Sequence, residues 1–224
     1  PVVHINTAGC RVCRPAYERK VKAHSERFGG KPVMLDHLCQ LCNTHLQKVL
    51  EYLEHNDVNY TPELYLEGRF GYHNKTVFTI TPSDDEKVLD AGGRYDYLAE
   101  HIGGRQIPAV GGSLFLDDLV PYVLAGMGAL QERRNLFFAA VGDEAQKEGS
   151  RLMNMLRRNG FVVLEALGKK TLSAQLKAAE KSGALLTLIF GQKEVFEDVI
   201  ILRNMTSGTQ RNVPLDNMLS LIHI

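Results

Sequence analysis

The sequence predicts an α/β protein built in three parts, and three observations lead to this fold class. All four cysteines fall in two closely spaced pairs within residues 1–58, and a helical pattern follows each pair. Residues 59–130 change to the pattern of a β-hairpin with short helices, and residues 135–224 alternate strands with helices. We therefore predict a helical metal-knuckle region, a sheet region and a separate α/β domain, with residues 131–135 as a linker.

Composition and charge limit the possible functions. With 44 % hydrophobic and 23 % charged residues, the chain is predicted to be an ordinary soluble globular protein. It has neither a membrane-spanning run of ~20 apolar residues nor a signal-peptide layout, which predicts a cytoplasmic location away from membranes. The absent initiator Met suggests a piece of a longer protein. The net charge is zero, which argues against a wholly basic nucleic-acid coat, but residues 131–224 carry 13 Lys and Arg against 10 Asp and Glu.

The cysteine pairs occur in the segments "CRVC" and "CQLC", as Cys10, Cys13, Cys39 and Cys42. Two residues between cysteines allow both sulfurs to face one ion, and two such knuckles supply the tetrahedral four-thiolate site that zinc prefers. Four thiolates leave no open position for catalysis, so the predicted zinc is structural. The alternative interpretation is two unrelated pairs of free or redox-active thiols. The segments "RPAYERKVKAHSERF" and "NTHLQKVLEYLEHND" have the periodicity of amphipathic helices.

The middle part is rich in glycine around its predicted strands. The segments "KTVFTI" and "VLDAGG" predict an antiparallel hairpin, and "RYDYLAEHIGG" predicts a short helix closed by Gly103 and Gly104. The next segment, "PAVGGSLFLDDLVPYVLAGMG", predicts a strand that runs into a helix stopping near Pro121. Glycines at such junctions indicate either tight turns or the close approach of a ligand to the backbone, and both interpretations stay open.

The last part has a regular order of strands and helices. Predicted strands are "LFFAAV", "FVVLEA", "ALLTLIF", "VIILRNM" and "TQRNVPL", and predicted helices are "DEAQKEGSRLMNMLRRNG", "TLSAQLKAAEKSG" and one more at the end. Ala145, Gly149, Leu152 and Leu156 are predicted to face inward on the first helix, with Gly160 as its stop. This order predicts a compact layer with a mainly parallel or mixed sheet.

Several of these segments resemble the C-terminal half of class II histidyl-tRNA synthetases. The run "HLQKVLEYLEHNDVNYTPELYLEGRFGYHNKTVF" is similar to the family's segment leading into its histidine-binding motif, and "GGRYDYL" followed by "PAVG" resembles its glycine-rich signature. Residues 136–215 resemble its anticodon-binding domain, and the "GC..CRPAY" opening also occurs in the family. The resemblance implies the end of a class II antiparallel-sheet catalytic domain with a four-cysteine zinc-knuckle insertion, followed by an α/β anticodon-binding domain.

The resemblance also implies where ligands bind. A histidine-sized pocket would be bordered by Tyr72, Gly92, Gly93, Arg94 and Tyr95. Single-stranded RNA bases are read by exposed polar and basic side chains, so tRNA, with the histidine tRNA as the expected partner, would be held by Lys169, Lys170, Gln175, Lys177 and Arg203. Taken singly, each of these five is better explained as a solvated surface residue; taken as a cluster in an RNA-binding fold, the two explanations have equal weight. A homodimer is a further implication.

Two departures from the family pattern concern catalysis. The family's R-G-L-D-Y-Y-T reads here as Gly68, Arg69, Phe70, Gly71, Tyr72, His73, Asn74, so glycine occupies the place of the arginine that faces the reacting groups. Arg69 is one place along, and on a strand a shift of one residue points a side chain to the other face. The later G-L-E-R-L appears as "FLDDL", which puts Asp118 where a cation would meet the triphosphate of ATP.

Three functions follow as hypotheses. The first is a tRNA-binding module with a degenerate or incomplete histidine and ATP site. The second is a fragment of an active histidine–tRNA ligase, in which Arg69 takes the catalytic role and ATP with Mg²⁺ is used by the full-length enzyme. The third is a histidine-sensing regulator, which the complete anticodon-like domain argues against. The family's first two motifs precede the region present here, so we expect no histidine activation by this chain alone.

Overall fold

The computed structural model describes residues 1–25, 32–68, 70–126 and 135–222. The chain divides into two compact units, Pro1–Gly128 and Ala129–Ile224. Both units are α/β layers, as predicted from the sequence. Arg69 and residues 131–134 of the predicted linker lie outside the described residues. The division of the first unit near residue 58 stays a prediction.

The first unit contains a five-stranded sheet in the order β2-β1-β3-β4-β5. Its strands are β1 Val2–Thr7, β2 Tyr60–Pro62, β3 Asn74–Thr81, β4 Asp90–Arg94 and β5 Val110–Leu114. β1 and β2 pair in parallel, and the other neighbours pair antiparallel. The predicted hairpin of "KTVFTI" with "VLDAGG" is therefore confirmed as β3 and β4. The sequence analysis missed β1, which lies inside the sheet between β2 and β3.

The helices of the first unit follow the predicted patterns with one correction. They are α1 Cys13–Ser25, α2 Gln40–His55, α3 Leu98–His101 and α4 Leu116–Gly126, with a 3-10 helix at Met34–His37. Pro121 lies inside α4, so the prediction that this helix stops near Pro121 was wrong. Proline lacks the N–H that would bond to the carbonyl of Asp117. Asp117 is exposed, so water can satisfy that carbonyl and the helix continues.

One edge of this sheet carries exposed apolar side chains. β5 is the last strand in the sheet order of the described residues. Val110 and Leu114 on β5 are 64 % and 58 % exposed, and Leu116 and Leu124 of the following α4 are 65 % and 63 % exposed. This strand and helix therefore present an apolar surface that the described residues leave open to solvent.

The second unit contains a mixed sheet in the order β10-β9-β8-β6-β7. Its strands are β6 Asn135–Val141, β7 Val162–Glu165, β8 Leu186–Gly191, β9 Val199–Asn204 and β10 Gln210–Pro214. Its helices are α5 Asp143–Arg158, α6 Leu172–Ser182, α7 Gln192–Phe196 and α8 Met218–Ile222, with a 3-10 helix at Leu215–Asn217. β6 pairs in parallel with β7 and β8, whereas β9 and β10 continue antiparallel. The predicted mixed sheet is confirmed, and α7 is an addition.

Two apolar clusters cover the two faces of this sheet. On the α5 side, Phe138, Leu156 and Phe190 are fully buried. On the α6 side, Phe137, Ala139 and Ala179 form a smaller cluster. Ala145, Gly149 and Leu156 of α5 are buried as predicted, and Leu152 packs against the same cluster. A Cβ at Gly149 would lie 2.8 Å from Cε1 of Phe138, so glycine allows the helix to approach the sheet closely.

Candidate functional sites

The four predicted cysteine ligands come together in the first unit. Cys10 precedes α1 and Cys13 begins it, while Cys39 is the residue before α2 and Cys42 lies in the first turn of α2. The four Sγ atoms all lie within 4.8 Å of one another. The Sγ–Sγ distances are 3.7 Å for Cys10–Cys13, 3.6 Å for Cys10–Cys39 and 3.7 Å for Cys13–Cys42.

These distances fit a tetrahedral metal site. With Zn–S bonds of about 2.3 Å, the corners of a tetrahedron lie about 3.8 Å apart. Cys13 and Cys42 are 3 % and 1 % exposed, and with Met34 they form the small core of this region. The donor set and its spacing therefore suit a closed, structural metal site. The approach of all four sulfurs to within 4.8 Å of one another favours one shared site over two unrelated cysteine pairs.

The pKa values of the Cys10 and Cys42 thiols are shifted in opposite directions. Burial acts to raise the pKa of Cys10, but hydrogen bonds from the backbone of Cys13 and Val12 outweigh it and lower the pKa to about 7. Burial, followed by hydrogen bonds with Cys10, Cys39 and Cys13, raises the pKa of Cys42 above its ordinary value. Four thiolates in one small volume repel each other, so ionisation of all four requires a cation between them.

The predicted glycines of the histidine pocket are packed inside the sheet. Gly92 on β4 pairs with Phe78 of β3 and Gly112 of β5. A Cβ at Gly92 would lie 2.6 Å from Cζ of Phe78 and would also meet the carbonyl oxygen of Gly111. A Cβ at Gly93 would lie 2.8 Å from the carbonyl oxygen of Thr76. Contact between strands is thus sufficient to explain both glycines, whatever ligand lies beside them.

Arg94, at the end of β4, is held by the neighbouring Asp96. Its Nε and Nη2 donate to Oδ1 of Asp96 at 3.0 and 2.8 Å. Lys75 donates to Oδ2 at 2.9 Å and Asn74 at 3.3 Å, while the backbone N–H of Ala109 donates to Oδ1 at 3.1 Å. Sequence reasoning missed Asp96, although it lies inside "GGRYDYL".

These bonds set the charge of Asp96. Its side chain is 3 % exposed. Burial acts to raise its pKa, but hydrogen bonds from Lys75, Arg94 and Asn74 hold the pKa at about 2. Asp96 is therefore a buried, ionised residue that ties β3, β4 and the loop before β5 together.

Tyr72 and Tyr95 meet in an aromatic group with two neighbours. Tyr72 stacks on Phe70 with ring centroids 5.1 Å apart, and it lies edge-on to Tyr95 at 6.0 Å. His73, which sequence reasoning did not select, lies 5.1 Å from Tyr72 and 6.4 Å from Tyr95. His73 is 6 % exposed, and its Nδ1 has no hydrogen-bond partner among the described residues. Burial, then the charge of Arg14, lowers the pKa of His73, which favours the neutral imidazole.

A cavity of about 350 Å³ adjoins this aromatic group at Gly68. Asn6 and Arg14 also line it. Asn6 is 3 % exposed, and its Nδ2 donates to the carbonyls of Leu64 and Leu66 at 3.1 and 3.0 Å. Its Oδ1 is buried and has no partner among the described residues.

Gly68 and Asp118, the two positions that depart from the family pattern, each contact a neighbouring side chain. A Cβ at Gly68 would lie 2.6 Å from Cβ of His73, so this backbone has no room for the family's arginine without movement. Asp118 pairs with Lys87, with Nζ 2.6 Å from Oδ1. The hydrogen bond to Asp118 raises the pKa of Lys87. The expected repulsion between Asp118 and a polyphosphate is thus partly offset by Lys87.

The predicted RNA-contacting residues are spread over one side of the second unit. Lys169 and Lys170 are exposed between β7 and α6, and Lys177 is exposed on α6. Gln175 was expected to be exposed, and this was wrong: it is 4 % exposed and its Nε2 donates to the carbonyl of Ala140 at 2.7 Å. It therefore holds α6 against β6.

Arg203 lies apart from these lysines, on the face of the sheet that carries α6. It pairs with Thr187 of β8 and Gln210 of β10, and side chains of paired residues share a face. Gln210 and Asn212 of β10 are exposed on this same face, because Asn212 pairs with Ile201 of the α6-side cluster. α6 packs on β6 and β7, which leaves this part of the face uncovered by that helix. Sequence reasoning missed Gln210 and Asn212.

No helix within the described ranges is both long and apolar enough to cross a membrane.

Comparison with known proteins matches both units. The family model described as "Histidyl-tRNA synthetase" matches residues 16–119, and the model described as "Anticodon binding domain" matches residues 135–223. The fold and these matches define the end of the catalytic domain and the anticodon-binding domain of a class II aminoacyl-tRNA synthetase. Across both matched segments the chain is similar to the C-terminal half of histidyl-tRNA synthetases.

The similar proteins show what share of a full-length histidine–tRNA ligase this chain covers. A histidine–tRNA ligase of Geobacter sulfurreducens is 31 % identical, with 96 % of this chain and 60 % of the relative covered. That of Thermodesulfovibrio yellowstonii is 27 % identical over 97 % of this chain and 60 % of the relative. The crystal structure of apo S. aureus histidyl-tRNA synthetase is 24 % identical, covers 98 % of this chain and 63 % of its own, and has a TM-score of 0.49. The chain thus spans about 60 % of the length of these curated relatives.

Proposed function

We propose that the chain binds tRNA, with the histidine tRNA as its partner, through the anticodon-binding unit. The match of residues 135–223 to the anticodon-binding family carries this proposal. The exposed lysines around α6 and the polar face with Arg203, Gln210 and Asn212 support it. Lysines contact phosphates without reading sequence, while the amides and Arg203 can hydrogen-bond to unstacked bases. Gln175 is buried and is left out of this contact set.

A titration of the full chain with labelled tRNA tests this proposal. Fluorescence anisotropy is measured for Lys170→Ala, Lys177→Ala and Asn212→Ala at several salt concentrations. Each lysine change is expected to weaken all tRNAs alike and to reduce the salt slope by about one, because one phosphate contact is lost. Asn212→Ala is expected to reduce discrimination between anticodons.

The matched control is Lys193→Ala. Lys193 is an exposed lysine of α7, whose Val195 packs on the α5 side of the sheet. It should leave tRNA binding unchanged. No binding at low salt, or equal losses for Lys193 and the α6-side lysines, contradicts the proposal.

We propose further that the first unit keeps a histidine pocket but has lost the means to activate histidine. The buried Nδ1 of His73 lies beside Tyr72 and Tyr95 without a partner among the described residues. The Oδ1 of Asn6, also without one, belongs to the neighbouring cavity that Gly68 lines. Gly68 stands at the position of the family's arginine, so no cation from that position faces the substrate carboxylate. Asp118 stands at the position of a second arginine and pairs with Lys87. Histidine-dependent ATP–pyrophosphate exchange by this chain is expected to be undetectable, and Asp118→Arg should not restore it. Clear exchange would refute this.

A fragment of an active ligase is the second candidate function. The similar proteins are named histidine–tRNA ligases, and this chain covers about 60 % of their length. Such a ligase would use ATP and Mg²⁺. Joining the chain to the first 40 % of a relative and measuring exchange discriminates the two hypotheses. A histidine-sensing role is distinguished by histidine binding without tRNA binding.

We also propose that the four cysteines hold one structural zinc ion. When bound, zinc cross-links the start of α1 to the start of α2 and supplies no catalysis, since four thiolates fill its coordination. The cytoplasmic location and the homodimer stay predictions.

A further inference from the structure

The metal knuckle contacts the helix that follows the glycine-rich strand. Arg11 lies between the first two cysteines, and its Nη2 pairs with Oε2 of Glu100 on α3 at 2.8 Å. Its Nη1 also donates to Oε1 of Glu100 at 3.2 Å. The same guanidinium lies over the ring of Tyr97, 3.9 Å from the ring centroid. An exposed ion pair alone contributes little, but two parallel hydrogen bonds and a cation–π contact fix the geometry.

The knuckle also contacts the aromatic loop. Arg14, the residue after Cys13, donates from Nη1 to the carbonyls of Gly71 and His73 at 3.3 and 3.1 Å. The backbone before the knuckle is joined to β3, because the N–H of Lys75 donates to the carbonyl of Gly9 at 2.7 Å. Backbone carbonyls on both sides of Tyr72 are therefore held by a side chain next to a metal ligand.

We propose that Arg11 and Arg14 are positioning residues that couple metal binding at the knuckle to histidine binding at the aromatic pocket. The coupling rests on the proposed metal site and the proposed histidine pocket. A metal held by Cys10 and Cys13 fixes the backbone on both sides of Arg11 and directly before Arg14. Arg14 then fixes the loop that carries Tyr72 and His73, and Arg11 fixes α3, which directly follows Tyr97 in the sequence. Each ligand therefore strengthens the binding of the other by the same factor.

A knuckle that served only local stability would not need these contacts. Its two helices could be held by the four sulfurs and by the small apolar cluster of Met34, Tyr17 and Leu38. Instead both arginines cross to other segments: Arg11 contacts α3, which follows Tyr95 and Tyr97, and Arg14 contacts the loop that carries Tyr72. These contacts are what we expect if a bound metal orders the two arginines, and the arginines in turn order α3 and the loop that carries Tyr72.

The test compares the wild type, the double variant Arg11→Ala/Arg14→Ala and the control Arg19→Ala. Arg19 is an exposed arginine of α1. The rate at which a chelator removes zinc is measured with and without saturating histidine. Histidine is expected to slow zinc loss by about fivefold or more in the wild type and the control, and to have no effect in the double variant. Arg14→Lys, which keeps a donor, should restore part of the effect.

Hydrogen–deuterium exchange of the zinc-loaded proteins gives a readout that needs no histidine. The double variant should exchange faster than the control in residues 70–75 and 96–103, while the second unit is unchanged. If histidine binds no form of the protein, the histidine pocket is wrong, and faster exchange in those segments still supports the positioning role. Zinc protection that survives in the double variant, or unaltered exchange, overturns the inference.

Discussion

Replacing Asp96 with asparagine is expected to destabilise the first unit and to alter its response to acid. Asp96 accepts hydrogen bonds from Lys75, Arg94, Asn74 and the N–H of Ala109. The amide keeps the shape of the carboxylate but has one acceptor oxygen and no charge. The cations of Lys75 and Arg94 are then left with a neutral partner.

The magnitude follows from the pKa of Asp96. Its pKa is lowered from about 3.8 to about 2 in the folded state. At about 1.4 kcal/mol per pKa unit, this corresponds to about 2 kcal/mol of stability. Removing one partner of a fully buried pair costs about 3–5 kcal/mol. Lys75 and Arg94 are 28 % and 25 % exposed and regain some water, so we expect a loss of about 2–3 kcal/mol at pH 7.

Acid should remove the same contribution from the wild type. Because the folded-state pKa lies below the ordinary value, ionised Asp96 stabilises the folded unit above about pH 4. This stability is lost as the pH falls from about 4 to about 2. The difference in unfolding free energy between the wild type and Asp96→Asn should therefore shrink over that range.

Urea unfolding followed by tyrosine fluorescence measures this difference. The chain has no tryptophan, and all eight tyrosines lie within residues 1–128, so the signal reports on the first unit alone. Asp117→Asn, an exposed acid on α4, is the matched control and should change stability by less than about 0.5 kcal/mol. A variant of Asp96 as stable as this control at pH 7, or a difference that does not depend on pH, would show that the network contributes nothing.

Two further predictions concern the knuckle and the glycine-rich strand. Elemental analysis of protein purified without chelator should find one zinc per chain, and Cys42→Ser should lose it together with tyrosine-monitored stability; a wild type without stoichiometric zinc contradicts the four-thiolate assignment. Gly92→Ala should lower the urea midpoint of the first unit by an amount equivalent to about 1–3 kcal/mol, because the added Cβ would press on Phe78 and Gly112. An unchanged midpoint together with weaker histidine binding would show instead that this position must be glycine to leave room for the ligand.

Periodicity was sufficient for most of the fold and failed where distant strands meet. The β3–β4 hairpin and the elements of the second unit follow from local alternation. β1 was missed because its partners, β2 and β3, lie more than 50 residues away in the chain. The continuation of the helix through Pro121 was missed because proline was expected to end it. Proline removes only one backbone hydrogen bond, and water can bond to the exposed carbonyl that is left.

The candidate sites were predicted unevenly for physical reasons. The cysteine cluster depends on spacing, which the sequence displays directly. Gln175 lies on the same face of α6 as Leu172, Leu176 and Ala179, so strict helical spacing would have placed it inward. Asp96 could not be identified in this way, because its partners come from β3 and from the loop before β5.

The open edge formed by β5 and α4 affects how this polypeptide behaves in concentrated solution. An uncharged strand at the edge of a sheet offers unpaired backbone groups and is a template for adding strands from other molecules. The apolar side chains of Val110, Leu114 and Leu116 strengthen such contacts. Loss of material during purification would then come from self-association of folded molecules, and it would grow with protein concentration while both units remain intact.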